Sequence, residues 1–297
     1  PDENYNCAGQ CIADVDCESV CGGSAVEDAC GICGGDGSSC SSTLLVPSEY
    51  STIQEGIDAA ADGDIVLVSA GTYPEAISID KSISLMCDSG AIINASGLSS
   101  GIAINAANVT VDGCEIVGND QTTSGISIGP GSSYVTISNN TIHGMQLPNP
   151  ANMSPGSYGI LVWGAGVNNI TLDNNEIYDV LLFGIDVTEF VTDVTIINNN
   201  IHDLEHLVGS FNDLVDVILG FDPTLEFDEN WWASTSGLDL DQEYWISAGI
   251  FSQANASIDV MGNTFDNVSI GTLFAISEGT STGNNYGSVV PMPHVSI

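Results

Sequence analysis

The chain has 297 residues, with 39 Asp and Glu against one basic residue, Lys81, and a formal net charge of −38. Nucleic-acid backbones and anionic lipid surfaces are bound by clustered Lys and Arg, so both are excluded as partners and cations are favoured. Charged residues make up only 13% of the chain and hydrophobic ones 43%, so the acidity comes from missing bases and a sizeable core is available.

Of the nine cysteines, Cys7, Cys11, Cys17, Cys21, Cys30, Cys33 and Cys40 crowd residues 1–42, while Cys87 and Cys114 stand apart. Crowding in a Gly-rich segment with few large apolar residues predicts a disulfide-stapled module in an oxidising compartment. Zinc competes less well, because Cys-x-x-Cys occurs once, at Cys30 to Cys33, and no His lies nearby. The module's count is odd. One thiol therefore pairs with Cys87 or Cys114, with another chain or an upstream segment, or stays free. The stretch Ala29-Cys30-Gly-Ile-Cys33-Gly-Gly-Asp-Gly-Ser-Ser-Cys40 resembles the tail of the cysteine-rich module of secreted metalloproteases with thrombospondin repeats, which implies an extracellular spacer.

Residues 43–297 read as one repetitive domain. A helix is expected near Ser51 to Ala61, with Ser51 and Gln54 as a capping box and Ile53, Ile57 and Ala60 on one face. Two short patterns then recur. The first is Gly-Ile-x-Ile-like, at Gly101, Gly125, Gly159, Gly184, Gly249 and Gly271. The second follows each time, as in Val135-Thr-Ile-Ser-Asn-Asn-Thr-Ile142 and Ile170-Thr-Leu-Asp-Asn-Asn-Glu-Ile177, and decays at Thr280 to Tyr286. Apolar and polar residues alternate over a few positions, the period of a short strand with one buried face. Each repeat is too small to bury that face alone and must stack on its neighbours. These constraints predict an all-β right-handed parallel β-helix, with the helix capping its open end against edge pairing. Ile102, Ile126, Ile160, Ile185 and Ile250 should form an aliphatic stack. Asn140, Asn175, Asn199, Asn263 and Asn285 should form an Asn ladder at a bend where Asn tolerates left-handed geometry, with Cys114 in the same column as a packed thiol or disulfide partner.

The segment from Val46-Pro-Ser-Glu-Tyr50 through Ile65-Val-Leu-Val to Tyr73-Pro-Glu75 resembles the opening of the pectin-lyase-like superfamily, a helix cap and first coil. That resemblance implies the fold but not the chemistry, since the fold hosts lyases, hydrolases, esterases, epimerases and inert adhesins. The Arg or Lys base of pectate-lyase-like enzymes and the substrate-site Arg of the methylesterases have no counterpart: Arg is absent and Lys81 lies in the first coil. The Gly-His-Gly and Arg-x-Lys signatures of polygalacturonases and the Asp-Pro-His-Asp run of alginate epimerases are also missing. For a non-Arg mechanism the catalytic candidates are His143, Tyr178 and His202, which follow equivalent positions of the second pattern and should form an outward column beside Asp179 and Asp203.

The longest departure from the repeat, about residues 203–247, holds Trp231, Trp232, Tyr244 and Trp245 among many carboxylates. Exposed aromatics beside acceptors suit sugar rings, so these four are the candidate carbohydrate-binding residues. Calcium is the expected cofactor, through Asp186, Glu189 and Asp193 or through Asp239 and Asp241. The function expected is that of an extracellular structural or adhesive protein, calcium-stabilised, binding carbohydrate or further copies of itself, with no nucleic-acid partner and no membrane insertion. The alternative is a polysaccharide lyase or epimerase with a non-Arg base.

Overall fold

The computed structural model describes residues 41–146, 157–188, 190–205, 207–210, 243–253, 256–268, 270–274, 278–287 and 292–296, and residues 4–6, 8, 10–27 and 33–34 of the N-terminal module. From Thr43 the chain winds through three parallel sheets, and each strand pairs with its counterpart one coil away. The first sheet has nine strands, from Thr43–Val46 to Glu278–Thr282. The second has eight, from Ile77–Ile79 to Met292–Ser296, and the third eight, from Gly71–Tyr73 to Asn285–Tyr286.

The alternation of the sequence is the alternation of burial. Ile102, Ile126, Ile160, Ile185 and Ile250 pair in register along the second sheet, and all have 0% exposure. Val111, Ile137, Leu172, Ile196 and Val260 do the same along the first. The glycine before each isoleucine of the second sheet is required by backbone approach. A Cβ on Gly159 would lie 2.5 Å from the Gly184 carbonyl oxygen, and one on Gly184 would lie 2.6 Å from that of Gly249. Any side chain there would push the coils apart.

At the bend between the first and third sheets runs the Asn ladder. Asn140 donates from its backbone N–H and from Nδ2 to Asn175 Oδ1, both at 3.1 Å. Asn175 does the same to Asn199, Asn199 to Asn263, and Asn263 to Asn284. Two details differ from expectation. The last rung is Asn284, not Asn285, because Gly279 takes the slot that Ile258 fills one coil earlier. Gly279 has no side chain to mark the slot, so the final repeat reads one residue late in the sequence. The left-handed geometry belongs to the residues just before the rungs: Gly113, Asn139, Asn174, Asn198, Gly262 and Gly283 have positive φ, whereas the rungs themselves do not.

Cys114 heads this column, its N–H donating to Asn140 Oδ1 at 2.9 Å, and its sulfur is bonded to Cys87 across adjacent coils. Neither thiol is therefore left for the odd cysteine of the module. There, Cys11 pairs with Cys21 and Cys17 with Cys33, while Cys7, Cys30 and Cys40 lie outside the described residues. Isolated antiparallel bridges join Tyr5 to Cys11, Val15 to Cys21 and Glu27 to Cys33. The side-chain amide oxygen of Asn6 and a carboxylate oxygen of Asp16 accept from backbone N–H groups in the intervening turns.

The helix spans Ile53–Ala59, and its N-cap is Thr52 rather than Ser51: Thr52 and Glu55 form the capping box. The Glu75 carboxylate also accepts from the N–H groups of Ile53 and Gln54, at 2.9 and 3.0 Å, which ties the first turn to the first coil. Ile53, Ile57 and Ala60 are buried as expected. At the other end Lys81 Nζ donates to the carbonyls of Ile57, Asp58 and Ala60, at 3.1, 2.6 and 2.9 Å. The one cation thus neutralises the negative end of the cap helix. No helix among the described residues is long and apolar enough to cross a membrane.

Candidate ligand-binding cleft

The outward column forms as the spacing predicts. His143, Tyr178 and His202 pair in register on the third sheet, with ring centroids 4.7 and 5.2 Å apart and planes within 5° and 15° of parallel. Each imidazole is engaged by carboxylates. His143 Nε2 lies 3.2 Å from Glu115 Oε1, while His202 meets Glu176 through Nε2 at 3.4 Å and Asp203 through Nδ1 at 2.9 Å. The hydrogen bond from His202, with a second from Asn267, holds the Asp203 carboxyl below its usual range. Burial, then the charges of Glu176, Glu115 and Asp179, raise the Tyr178 phenol. Asp179 sits beside the column as expected, but its side chain is taken up by Gln146 Nε2.

The other predicted groupings are spread apart or lie beyond view. Asp186 is on the second sheet and Asp193 on the first, while Glu189, Asp239 and Asp241 lie outside the described residues. Among the described residues no three His, Cys, Asp or Glu side chains come together in a way that would hold a metal ion. Trp231 and Trp232 are also outside them. Tyr244 and Trp245 lie on the strand Glu243–Ile246, which pairs antiparallel with Leu207–Ser210, so the two ends of the long excursion zip together where it leaves the coil.

Among the described residues, clefts open on the outer faces of two sheets. The first, of about 430 Å³ on the first sheet, is polar and lined by Tyr134, Thr136, Asn169, Thr171, Asp193, Thr195 and Asp259, with Val194, Ser257 and Ile258 between them. The second, of about 490 Å³ over the second sheet, is aromatic. Tyr158, Trp163 and Phe190 line it, and Asp186 and Gln253 are its most buried polar groups, at 1% and 5% exposure. Trp163 and Phe190 are 42% and 53% exposed, unusual for rings of this size in a folded chain. The Trp163 indole is fixed, its Nε1 donating to Ser127 Oγ at 3.0 Å.

The strands explain how this cleft is made. Asp186 lies between the inward residues Ile185 and Val187, so it must face outward. Beside it Tyr158, Phe183 and Phe251 are buried but stand apart from the aliphatic core, stacked at 5.8 and 5.1 Å. Trp163, Thr188 and Gln253 each follow the last residue of a strand of this sheet, in successive coils. Gln253 Nε2 is 3.3 and 3.2 Å from the two Asp186 oxygens, one donor shared by two acceptors. Burial pushes the Asp186 carboxyl up to about 8, only partly offset by Gln253. Burial thus favours the protonated form, which can donate as well as accept.

Comparison with known proteins agrees with the coil architecture. The sequence matches the family described as "Right handed beta helix region" over residues 83–286. The chain belongs to the right-handed β-helix family. One curated relative of this chain is a cell surface glycoprotein of Methanothermus fervidus, 39% identical over 102 residues, a stretch that is 33% of this chain and 16% of that protein. Similar solved structures include a pectin methylesterase from Aspergillus niger, at 10% identity and TM-score 0.43, covering 86% of this chain and 83% of that one. They also include the pectate lyase Pel9A, at 12%, 0.41, 86% and 83%, and PfbA, a surface adhesin of Streptococcus pneumoniae, at 13%, 0.31, 86% and 91%.

Proposed function

We propose that this β-helix is a carbohydrate-binding protein of the cell surface, with the cleft around Trp163, Phe190, Asp186 and Gln253 as its binding site. The chain is extracellular: disulfides staple both its N-terminal module and its first coils, which suits an oxidising compartment, and one curated relative is a cell surface glycoprotein. The observation that carries the binding reading is an exposed indole held in place beside a buried polar pair. Exposed rings supply flat apolar area for the C–H face of a sugar, and a few fixed polar groups at the floor select its hydroxyls. The Trp163 ring is already anchored, so little side-chain freedom is lost on binding.

The reading is tested by screening the intact protein and its Trp163→Ala variant on a glycan array. Binding to at least one glycan, weakened about tenfold or more by the substitution, is expected. No binding, or binding unchanged in the variant, would overturn it. Calcium as a stabilising counter-ion, and self-association along the solenoid axis, belong to the same proposal and rest on the charge of −38 and the stacked coils. Calcium should raise the melting temperature and a chelator lower it, and light scattering in calcium should report more than one copy per particle.

The lyase or epimerase alternative has the stacked His143, Tyr178 and His202 in its favour. Against it, His143 Nε2 and both nitrogens of His202 face Glu115, Glu176 and Asp203, and the column lines neither of the clefts described above. It requires unsaturated or epimerised products from a glycan panel, abolished by His143→Ala or His202→Ala.

A further inference from the structure

The glycan reading uses Asp186 as a polar group of the floor but not its capacity to carry charge. Its carboxyl is 99% withdrawn from solvent, yet one amide nitrogen serves both of its oxygens. So buried, the carboxyl can ionise only if a cation compensates it. No Lys or Arg of this chain is free to supply one, since the single basic side chain, Lys81, is held by three carbonyls at the cap helix. The rings around the carboxyl are of the kind that attract cations: a ligand ammonium beside Trp, Tyr or Phe gains from the negative face of the ring, most of all when desolvated. The net charge of −38 raises the local concentration of any cation approaching the cleft.

We infer that the sugar taken by this cleft carries a protonated amine, which Asp186 receives as its counter-ion between the Trp163 and Phe190 rings. The inference rests on the glycan reading of the same site and narrows it to amino sugars. Sugars bearing carboxylates are disfavoured, because the cleft offers them no cation. Among the described residues lining it, Tyr158 is the only other titratable group and none carries a fixed charge.

The proton balance follows. Without ligand, below about pH 8, the carboxyl keeps its proton. When the ammonium enters, the proton leaves for solvent and the ammonium takes its place, so binding an amino sugar releases one proton. An N-acetylated sugar has no such charge and releases none. Affinity for the amine should therefore rise with pH until the amine itself deprotonates.

The experiment is isothermal titration of the intact protein at pH 6 in 0.5 M salt, in two buffers of different ionisation enthalpy. The probes are a glucosamine oligomer, its N-acetylated counterpart and a galacturonate oligomer. We expect the glucosamine oligomer to bind about tenfold or more tighter than the acetylated one, with about one proton released. Asp186→Asn should erase both the preference and the proton release, whatever it does to the affinity for the acetylated oligomer. A circular dichroism spectrum and a cooperative thermal transition like those of the wild type show that the variant folds. Equal affinity for amine and acetylated forms, or a preference that survives Asp186→Asn, overturns the amine assignment and leaves the glycan reading standing. Failure of every oligomer to bind, or binding that Trp163→Ala does not change, overturns the reading of the cleft itself.

Discussion

The outer faces of the first and second sheets are built on the same inward scaffold and end as opposites. On the first, Thr110, Thr136, Thr171 and Thr195 stand in register, half-buried, with Asp259 and Thr280 continuing the row. Water reaches this face and the residues satisfy one another along it, as where Thr280 Oγ1 donates to Asp259 at 2.7 Å. On the second, Tyr158, Phe183, Asp186 and Phe251 are as buried as the core although they lie on its far side. In a solenoid the inward positions fix the coil and leave little room for individuality. A specific ligand is then sought where the outward positions stop being interchangeable, and here that is the second sheet.

This contrast can be broken at several points. The largest effect is expected at Asp186, whose carboxyl ionises near 3.8 when unfolded and near 8 when folded. The native state holds a proton that the unfolded chain has released, so stability is full below about pH 4 and falls as pH rises toward 8. The slope is at most roughly 1.4 kcal/mol per pH unit. Asp186→Asn should flatten that fall, as measured by denaturant unfolding at pH 5, 7 and 9, and a wild-type curve that stays level would mean that the second face is wet after all. Next comes the interior common to both faces. Asn199→Ala leaves the N–H of Asn175 and the carbonyl of Leu172 unpaired in a buried ladder and should cost about 3 kcal/mol at any pH, visible as a lower denaturant midpoint. Lys81→Met removes the cation from the cap helix and should cost about 1 kcal/mol, read as a fall in melting temperature that salt diminishes. The smallest effect belongs to the wet face: Thr171→Val should change stability by less than about 0.5 kcal/mol. A loss as large as that of Asn199→Ala would show that the two faces are not as different as their burial implies.

The sequence made the fold legible wherever side chains repeat in register. The isoleucine stack, the Asn rungs up to Asn263 and the His143, Tyr178 and His202 column all follow from a two-residue period and matched spacing. Failures came where a slot carries no chemical signature. Gly279 stands in an aliphatic column and shifts the last repeat by one, and Thr52 outcompetes Ser51 as helix cap because Glu55 reaches back to it. The cleft was harder to see. Trp163, Thr188 and Gln253 occupy one structural position in three coils but share no chemistry, so no pattern joins them. A register alignment extended one residue past each strand would have set them side by side. Charge counting grouped Asp186 with Asp193, although a corner of the coil separates their sheets.

The Lys81 cap has a consequence for survival outside the cell. Proteases that cut after Lys or Arg find one target in the entire chain, and its side chain is folded back onto the end of a helix, bound to three carbonyls. Cleavage there requires the Lys81 side chain to leave those carbonyls and the first coil to open. A protein with almost no basic residues thereby evades a whole class of digestive enzymes by composition, and shields the one exception by architecture.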